Sequence, residues 1–114
     1  MGVEYTKRKQ KDVLIINVKG RMVLGKDPIG LMKYVIQETK THKKFVIDLG
    51  KVELMDSAGV GEIVAANVAV KEKGGKLHLA NLDESVGKIL QMALVHKIVP
   101  TFETQKEAIA AFGE

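Results

Sequence analysis

Phe45-Val46-Ile47-Asp48-Leu49, followed seven residues after Leu49 by Asp56-Ser57-Ala58-Gly59-Val60-Gly61, decides how this chain folds. A run so nearly continuous in apolar residues suits a central strand covered on both faces. The second stretch reads as the start of a helix. Asp56 and Ser57 stand side by side, and either side chain can accept the unpaired N–H groups of a first turn. If Asp56 fills that role, the Ser57 hydroxyl is spare. Gly59 and Gly61 fall in the same turn, where each costs about 1 kcal/mol of helix propensity relative to alanine. Either a neighbouring strand packs closely there, or a foreign backbone or phosphate approaches. Glycine alone does not decide between the two.

Outward from this stretch, strands and helices alternate. Tyr5 to Gln10 reads as a short polar strand and Val13 to Val18, rich in β-branched residues, as a strong one. Gly20-Arg21 reads as a turn. Asp27-Pro28 opens a helix over 27–41, with an N-cap aspartate, a first-turn proline and an apolar stripe of Ile29, Leu31, Met32, Val35 and Ile36. The second helix spans 57–73 and stops at Gly74-Gly75. A strand follows over 76–80, then a helix over 83–95 carrying Val86, Ile89, Leu90, Ala93 and Leu94. Ile98-Val99 reads as a very short strand. Thr104 and Glu107 form a capping box for a last helix over 104–112, burying Ala108, Ile109 and Phe112. This order predicts one α/β domain over 1–114, a single mixed sheet with about four helices.

On the second helix, a spacing of 100° per residue predicts Val60, Ile63, Val64, Val68 and Val70 as the buried face. The opposite face then holds Glu62, Ala65, Ala66 and Ala69, with little charge. Alanine is simply the best helix former; a flat, small-residue surface is also one on which a partner can lie closely.

Composition narrows the function. The chain has 114 residues and no cysteine, which excludes disulfides, thiol catalysis and cysteine zinc sites. No apolar run approaches the ~20 residues of a membrane span, and Met1 to Lys11 lacks the apolar core of a signal peptide. The expectation is a cytoplasmic protein without a membrane partner. The net charge is +4, but aromatic residues are 4% and the lysines are scattered along the chain. No direct nucleic-acid partner is expected, and a small nucleic-acid-binding domain stays only as a third reading suggested by charge alone. The one cluster, Lys7, Arg8, Lys9 and Lys11, reads as an edge strand guarded against aggregation.

Catalysis finds no support. A hydrolase elbow needs glycine where Met55 stands. A P-loop needs Gly-Lys-Ser/Thr, which is absent. A dinucleotide fingerprint on Gly59 and Gly61 needs glycine at Val64. His42, His78 and His96 complete no triad, and no cluster has metal-ligand spacing. No catalytic residue, metal or cofactor is assigned.

Asp56-Ser57-Ala58-Gly59-Val60-Gly61, preceded by Phe45 to Leu49, resembles the signature of STAS domains, specifically bacterial anti-sigma factor antagonists. The Gly20-Arg21 segment, the Gly74-Gly75-Lys76-Leu77 strand entry and the closing helix are similar to that family too. The resemblance runs from about Val13 onward. It implies a four-helix α/β fold on one sheet. It implies a partner that is both anti-sigma factor and serine kinase, of the ATP-binding histidine-kinase-like type. Binding that partner releases a sigma factor; phosphorylation of Ser57 dissolves the complex; a metal-dependent serine phosphatase restores the serine. The expected partner-binding residues are Asp27, Asp56, Ser57, Ala58, Gly59, Gly61, Glu62, Ala65, Ala66 and Ala69, and a weak homodimer is allowed for. The chain departs from the family at Ala58, where serine or threonine is usual, and at Asp27, which lies further beyond the Gly20-Arg21 segment than the family's acidic residue. A STAS-like accessory subunit that binds a nucleotide or a transport complex and is never phosphorylated is the alternative.

Overall fold

The computed structural model describes residues 2–25 and 30–113. Its sheet grows from the two apolar runs identified in the sequence. Strand β2 (Val13–Met22) and strand β3 (Lys44–Met55) lie side by side and parallel, Leu14 opposite Phe45 and Ile16 opposite Ile47. β1 (Val3–Gln10) returns antiparallel along β2 through the Lys11-Asp12 turn and forms one edge, as the basic cluster implied. β4 (Lys76–Ala80) and β5 (Thr101–Phe102) extend the sheet in parallel on the other side, giving the order β1-β2-β3-β4-β5. β3 is therefore central.

Alternation along the strands sends residues to two cores. Leu14, Ile16, Val18, Phe45, Ile47 and Leu49 face the larger one, roofed by α1 (Leu31–Glu38), α2 (Ser57–Glu72) and α3 (Glu84–Met92). Val13, Ile15 and Val46 face the smaller one under α4 (Gln105–Ala110). The four helices and the mixed sheet match the fold expected from the sequence.

Three boundaries differ. Gly20-Arg21 is not a turn: β2 runs through it to Met22, with register shifts against β3 between Asn17 and Lys19 and between Gly20 and Arg21, and Gly20 at φ 117. The last strand is at Thr101–Phe102, not Ile98-Val99, because a 3₁₀ turn at Val95–Lys97 uses those residues first, Val99 N–H donating to the Val95 carbonyl. Leu94 ends α3 in a left-handed conformation and stands exposed, while Val95 takes the core position. The Asp27-Pro28 start of the first helix, with Ile29, lies outside the described residues.

Two polar groups hold the smaller layer. Asp48, 7% exposed on the central strand, accepts from Gly50 N (2.8 Å) and from the side-chain amides of Asn81 (2.6 Å) and Gln105. It thus ties the first residue of α4 to the sheet. Asp48→Ala should destabilise the domain by about 2–3 kcal/mol, because it leaves donors without their charged acceptor; urea unfolding measures it.

His78 lies flat on Phe112, ring centres 3.9 Å apart, and its Nδ1–H donates to the Ala108 carbonyl at 2.9 Å. Burial outweighs that hydrogen bond and holds its pKa below the ordinary 6.5. The folded state therefore binds fewer protons than the unfolded chain below that pH. Stability should be full above about pH 7 and fall as acid passes 6.5, until the lower folded pKa is crossed. Melting temperatures taken from pH 8 to about 5 should drop more steeply for the wild type than for His78→Leu.

Candidate functional site

β3 runs without a break to Met55 and delivers the chain directly into α2. At the junction Asp56 is extended and acts as the N-cap. Its Oδ1 accepts from Ala58 N at 2.9 Å and Gly59 N at 3.3 Å, and its Oδ2 accepts from Leu24 N at 3.1 Å. Asp56 N donates in turn to the Met22 carbonyl at 3.2 Å. One side chain thus closes the helix and fastens the segment after β2 to it. The Leu24 N–H, helped by those of Gly59 and Ala58, keeps the carboxyl below the usual carboxylate range, so it is charged at neutral pH.

With the cap taken, Ser57 is the first helical residue. It is exposed, and its hydroxyl makes no hydrogen bond among the described residues. The two glycines part company. A Cβ on Gly59 would lie 2.5 Å from the Met22 carbonyl oxygen and 2.7 Å from Met55 Cγ, so this glycine exists to let α2 sit against the sheet. A Cβ on Gly61 would meet nothing within 4 Å. Gly61 is exposed and borders open space.

The remaining expected contacts divide in the same way. Ala66 is fully buried, and with Gly59, Ile63, Asn67 and Val70 it forms the true inner face of α2. Its expected place on a partner-facing surface is corrected accordingly. Hydropathy holds for Ile63 and Val70, and Val60 and Val64 pack partly buried against the core, but the rest of the inward line is taken by Gly59, Ala66 and Asn67. Val68 is 49% exposed instead. Ala65 and Ala69 are half-buried. Glu62 turns sideways: its Oε1 accepts from Met32 N at 3.0 Å and so caps α1, whose own N-cap Gly30 has no side chain to do it. Ala58, Gly59 and Glu62 line a cleft of about 110 Å³ with Met22 to Gly25. Asp27 lies outside the described residues.

Two groups beside Ser57 escaped the sequence reading. Leu24 is 83% exposed, beside the Asp56 carboxylate. On the other side, Ile89, Met92 and Ala93 of α3 and its end form with Asp56, Ser57 and Val60 an apolar groove of about 400 Å³. Met92 is 78% exposed. A methionine outside the apolar stripe of a short helix was the available signal; its nearness to Ser57 follows only from how α3 crosses the sheet.

The profile of the STAS domain family matches residues 4–108. The chain belongs to the STAS domain family. An anti-sigma F factor antagonist of Paenibacillus polymyxa is 22% identical over 110 residues, covering 96% of this chain and 94% of that protein. Among solved structures, a candidate anti-sigma factor antagonist of Thermotoga maritima superposes with a TM-score of 0.85 at 25% identity, covering 94% and 92% of the two chains. The Bacillus cell fate determinant SpoIIAA, solved in its phosphorylated form, superposes with a TM-score of 0.70 at 16% identity, over 96% and 99%. The first two are named as antagonists of anti-sigma factors, a regulatory binding role in keeping with the one expected here. Among the described residues no helix is long and apolar enough to cross a membrane, and no group of three or more acidic or histidine side chains is placed to hold a metal.

Proposed function

We propose that this protein is an anti-sigma factor antagonist that works by partner switching, with the Ser57 hydroxyl as the switch. Unmodified, it binds an anti-sigma factor that is also a serine kinase, and a sigma factor is released. The kinase moves the γ-phosphoryl of ATP onto Ser57 Oγ: the new P–O bond forms as the bond to ADP breaks, and the hydroxyl proton leaves to a base of the kinase. A metal-dependent phosphatase reverses the modification by hydrolysis.

The observation that carries this reading is the division of labour at the start of α2. Asp56 does all the capping, so the serine beside it has no structural task, points to solvent and borders an apolar groove. The names of the relatives support the class of partner. A helix N-terminus also tolerates the added charge, because its dipole favours anions. Modification then changes the surface without unfolding the domain.

The test is the mass of the intact chain recovered from its own cells and after incubation with the cognate kinase and ATP. One added phosphate, mapped to Ser57, removed by phosphatase and absent from Ser57→Ala, is the expected result. A chain that is never phosphorylated yet stays bound to a transport or nucleotide-binding complex would support the accessory-subunit reading instead.

A further inference from the structure

Lysines that are dispersed in the sequence are gathered at one end of the fold. Segments 7–12, 38–44 and 71–76 carry ten basic and three acidic residues, a balance of +7 in a chain whose whole is +4. The topology brings all three together. The Lys11-Asp12 turn precedes Val13, which pairs with Lys44; Lys44 is the direct register partner of Lys76. Lys76 N donates to the Lys43 carbonyl at 2.7 Å, and Lys43 Nζ donates to the Lys73 carbonyl at the end of α2. α1 and α2 both end here, so lysines also complement their dipoles. That does not account for their number. Lys7 pairs with Glu38 and Lys44 with Asp12, while Lys11, Lys40, Lys73 and Lys76 make no ion pair with a described residue. Like charges set opposite each other across strands are destabilising, and a bound polyanion would relieve that repulsion.

We propose that this basic pole is a docking surface for the phosphate backbone of nucleic acid, without sequence preference. The side chains present select that occupant. Lysine offers point charges suited to phosphates, and the three segments hold no Phe, Tyr or Trp to stack on bases; their one ring, His42, packs edge-on against Phe45. The pole's one arginine, Arg8, is engaged by Gln10 and Gln105. Base reading by bidentate arginine is therefore not built in. A lipid surface is disfavoured because the three segments hold no apolar side chain to enter a bilayer. The pole is separate from the Ser57 site: α2 has 16 residues and spans about 24 Å between them. A chain held on nucleic acid would leave its switch end open to a protein partner.

The experiment is a fluorescence-anisotropy titration of the full chain against a random-sequence DNA duplex between about 50 and 200 mM salt, the range over which phosphate contacts weaken steeply. The wild type should bind at the low-salt end and release as salt rises. The variant Lys11→Gln, Lys40→Gln, Lys73→Gln, Lys76→Gln should bind at least about tenfold more weakly, with a log–log salt slope shallower by roughly three to four. The variant Lys19→Gln, Arg21→Gln, Lys51→Gln, Lys88→Gln removes the same charge elsewhere and should keep most of the affinity. Ser57→Asp should leave it within about twofold, since its one added charge lies beyond the Debye length of about 10 Å. Thermal melts establish that each variant is folded. No duplex binding by the wild type at about 50 mM salt overturns the proposal. So does equal loss in the two four-site variants, which would mean net charge alone acts. Capture by phosphatidylserine–phosphatidylcholine vesicles with no duplex binding would make lipid the ligand and the proposal wrong.

Discussion

Phosphorylation of Ser57 is expected to weaken binding of the cognate kinase by about a hundredfold or more, since each 1.4 kcal/mol is tenfold in affinity. Ser57 lines the apolar groove with Val60, Ile89 and Met92, follows Asp56, to which Leu24 is bonded, and lies one helical turn before the exposed Gly61. A partner lying across these groups excludes water from the serine. A phosphate there carries about −1.5 to −2 charges, close to the Asp56 carboxylate, which is already ionised and fully committed to Leu24, Ala58 and Gly59. A charge left desolvated and unpaired at an interface costs several kcal/mol. Ser57→Ala should bind as the unmodified wild type does and resist the kinase. Ser57→Asp should bind more weakly than Ser57→Ala, though less so than the phosphorylated chain. Both variants should melt near the wild type, because Asp56 rather than Ser57 caps the helix. Calorimetric titration of the four forms against the kinase measures the order. If phosphorylated wild type, Ser57→Asp and Ser57→Ala bind alike, Ser57 is not the switch.

Gly59→Ala should destabilise the domain by about 3 kcal/mol, as insertion of a methyl into a closed contact does. The new carbon would sit 2.5 Å from a backbone oxygen at the end of β2, with Met22 Cβ at 2.9 Å. Neither can turn aside as a long side chain can, so α2 must lift from the sheet. That shift would also disturb the hydrogen bonds of Asp56 to Leu24 and Met22. Gly61→Ala, two residues on, should do the reverse and stabilise by about 0.5–1 kcal/mol, the ordinary gain of alanine over glycine in a helix. If Gly61 keeps open a surface that a partner approaches closely, that same stabilised variant should bind the kinase less well. Chemical denaturation and binding measured on the pair separate a glycine required for packing from one required for recognition. Equal stability of the two variants would refute the close-contact account of Gly59.

Some of this was fixed by local chemistry. Phe45 to Leu49, with four apolar residues in five, can be buried on both faces only as an inner strand, and β3 is one. Asp56, Asp83 and Thr104 are the N-caps of α2, α3 and α4, because short oxygen-bearing side chains satisfy the first N–H groups wherever the chain turns into a helix. The position of Ser57 at a helix start followed from the same reasoning.

Tertiary structure decided the rest. Which face of α2 is inward depended on how closely the helix approaches the sheet; close packing at Gly59 and Ala66 placed those two inward beside Ile63 and Val70 and left Val68 outside. Hydropathy ranks side chains by their own transfer energy and carries no information on that spacing. Met92 reached Ser57 because α3 packs against β3 beside the start of α2, and nothing within 84–92 encodes that placement. The lysines at positions 11, 40, 43, 73 and 76 look dispersed along the chain, yet parallel strands begin, and the helices before them end, at the same side of a sheet. A right-handed strand–helix–strand repeat therefore stacks residues some thirty positions apart onto one pole.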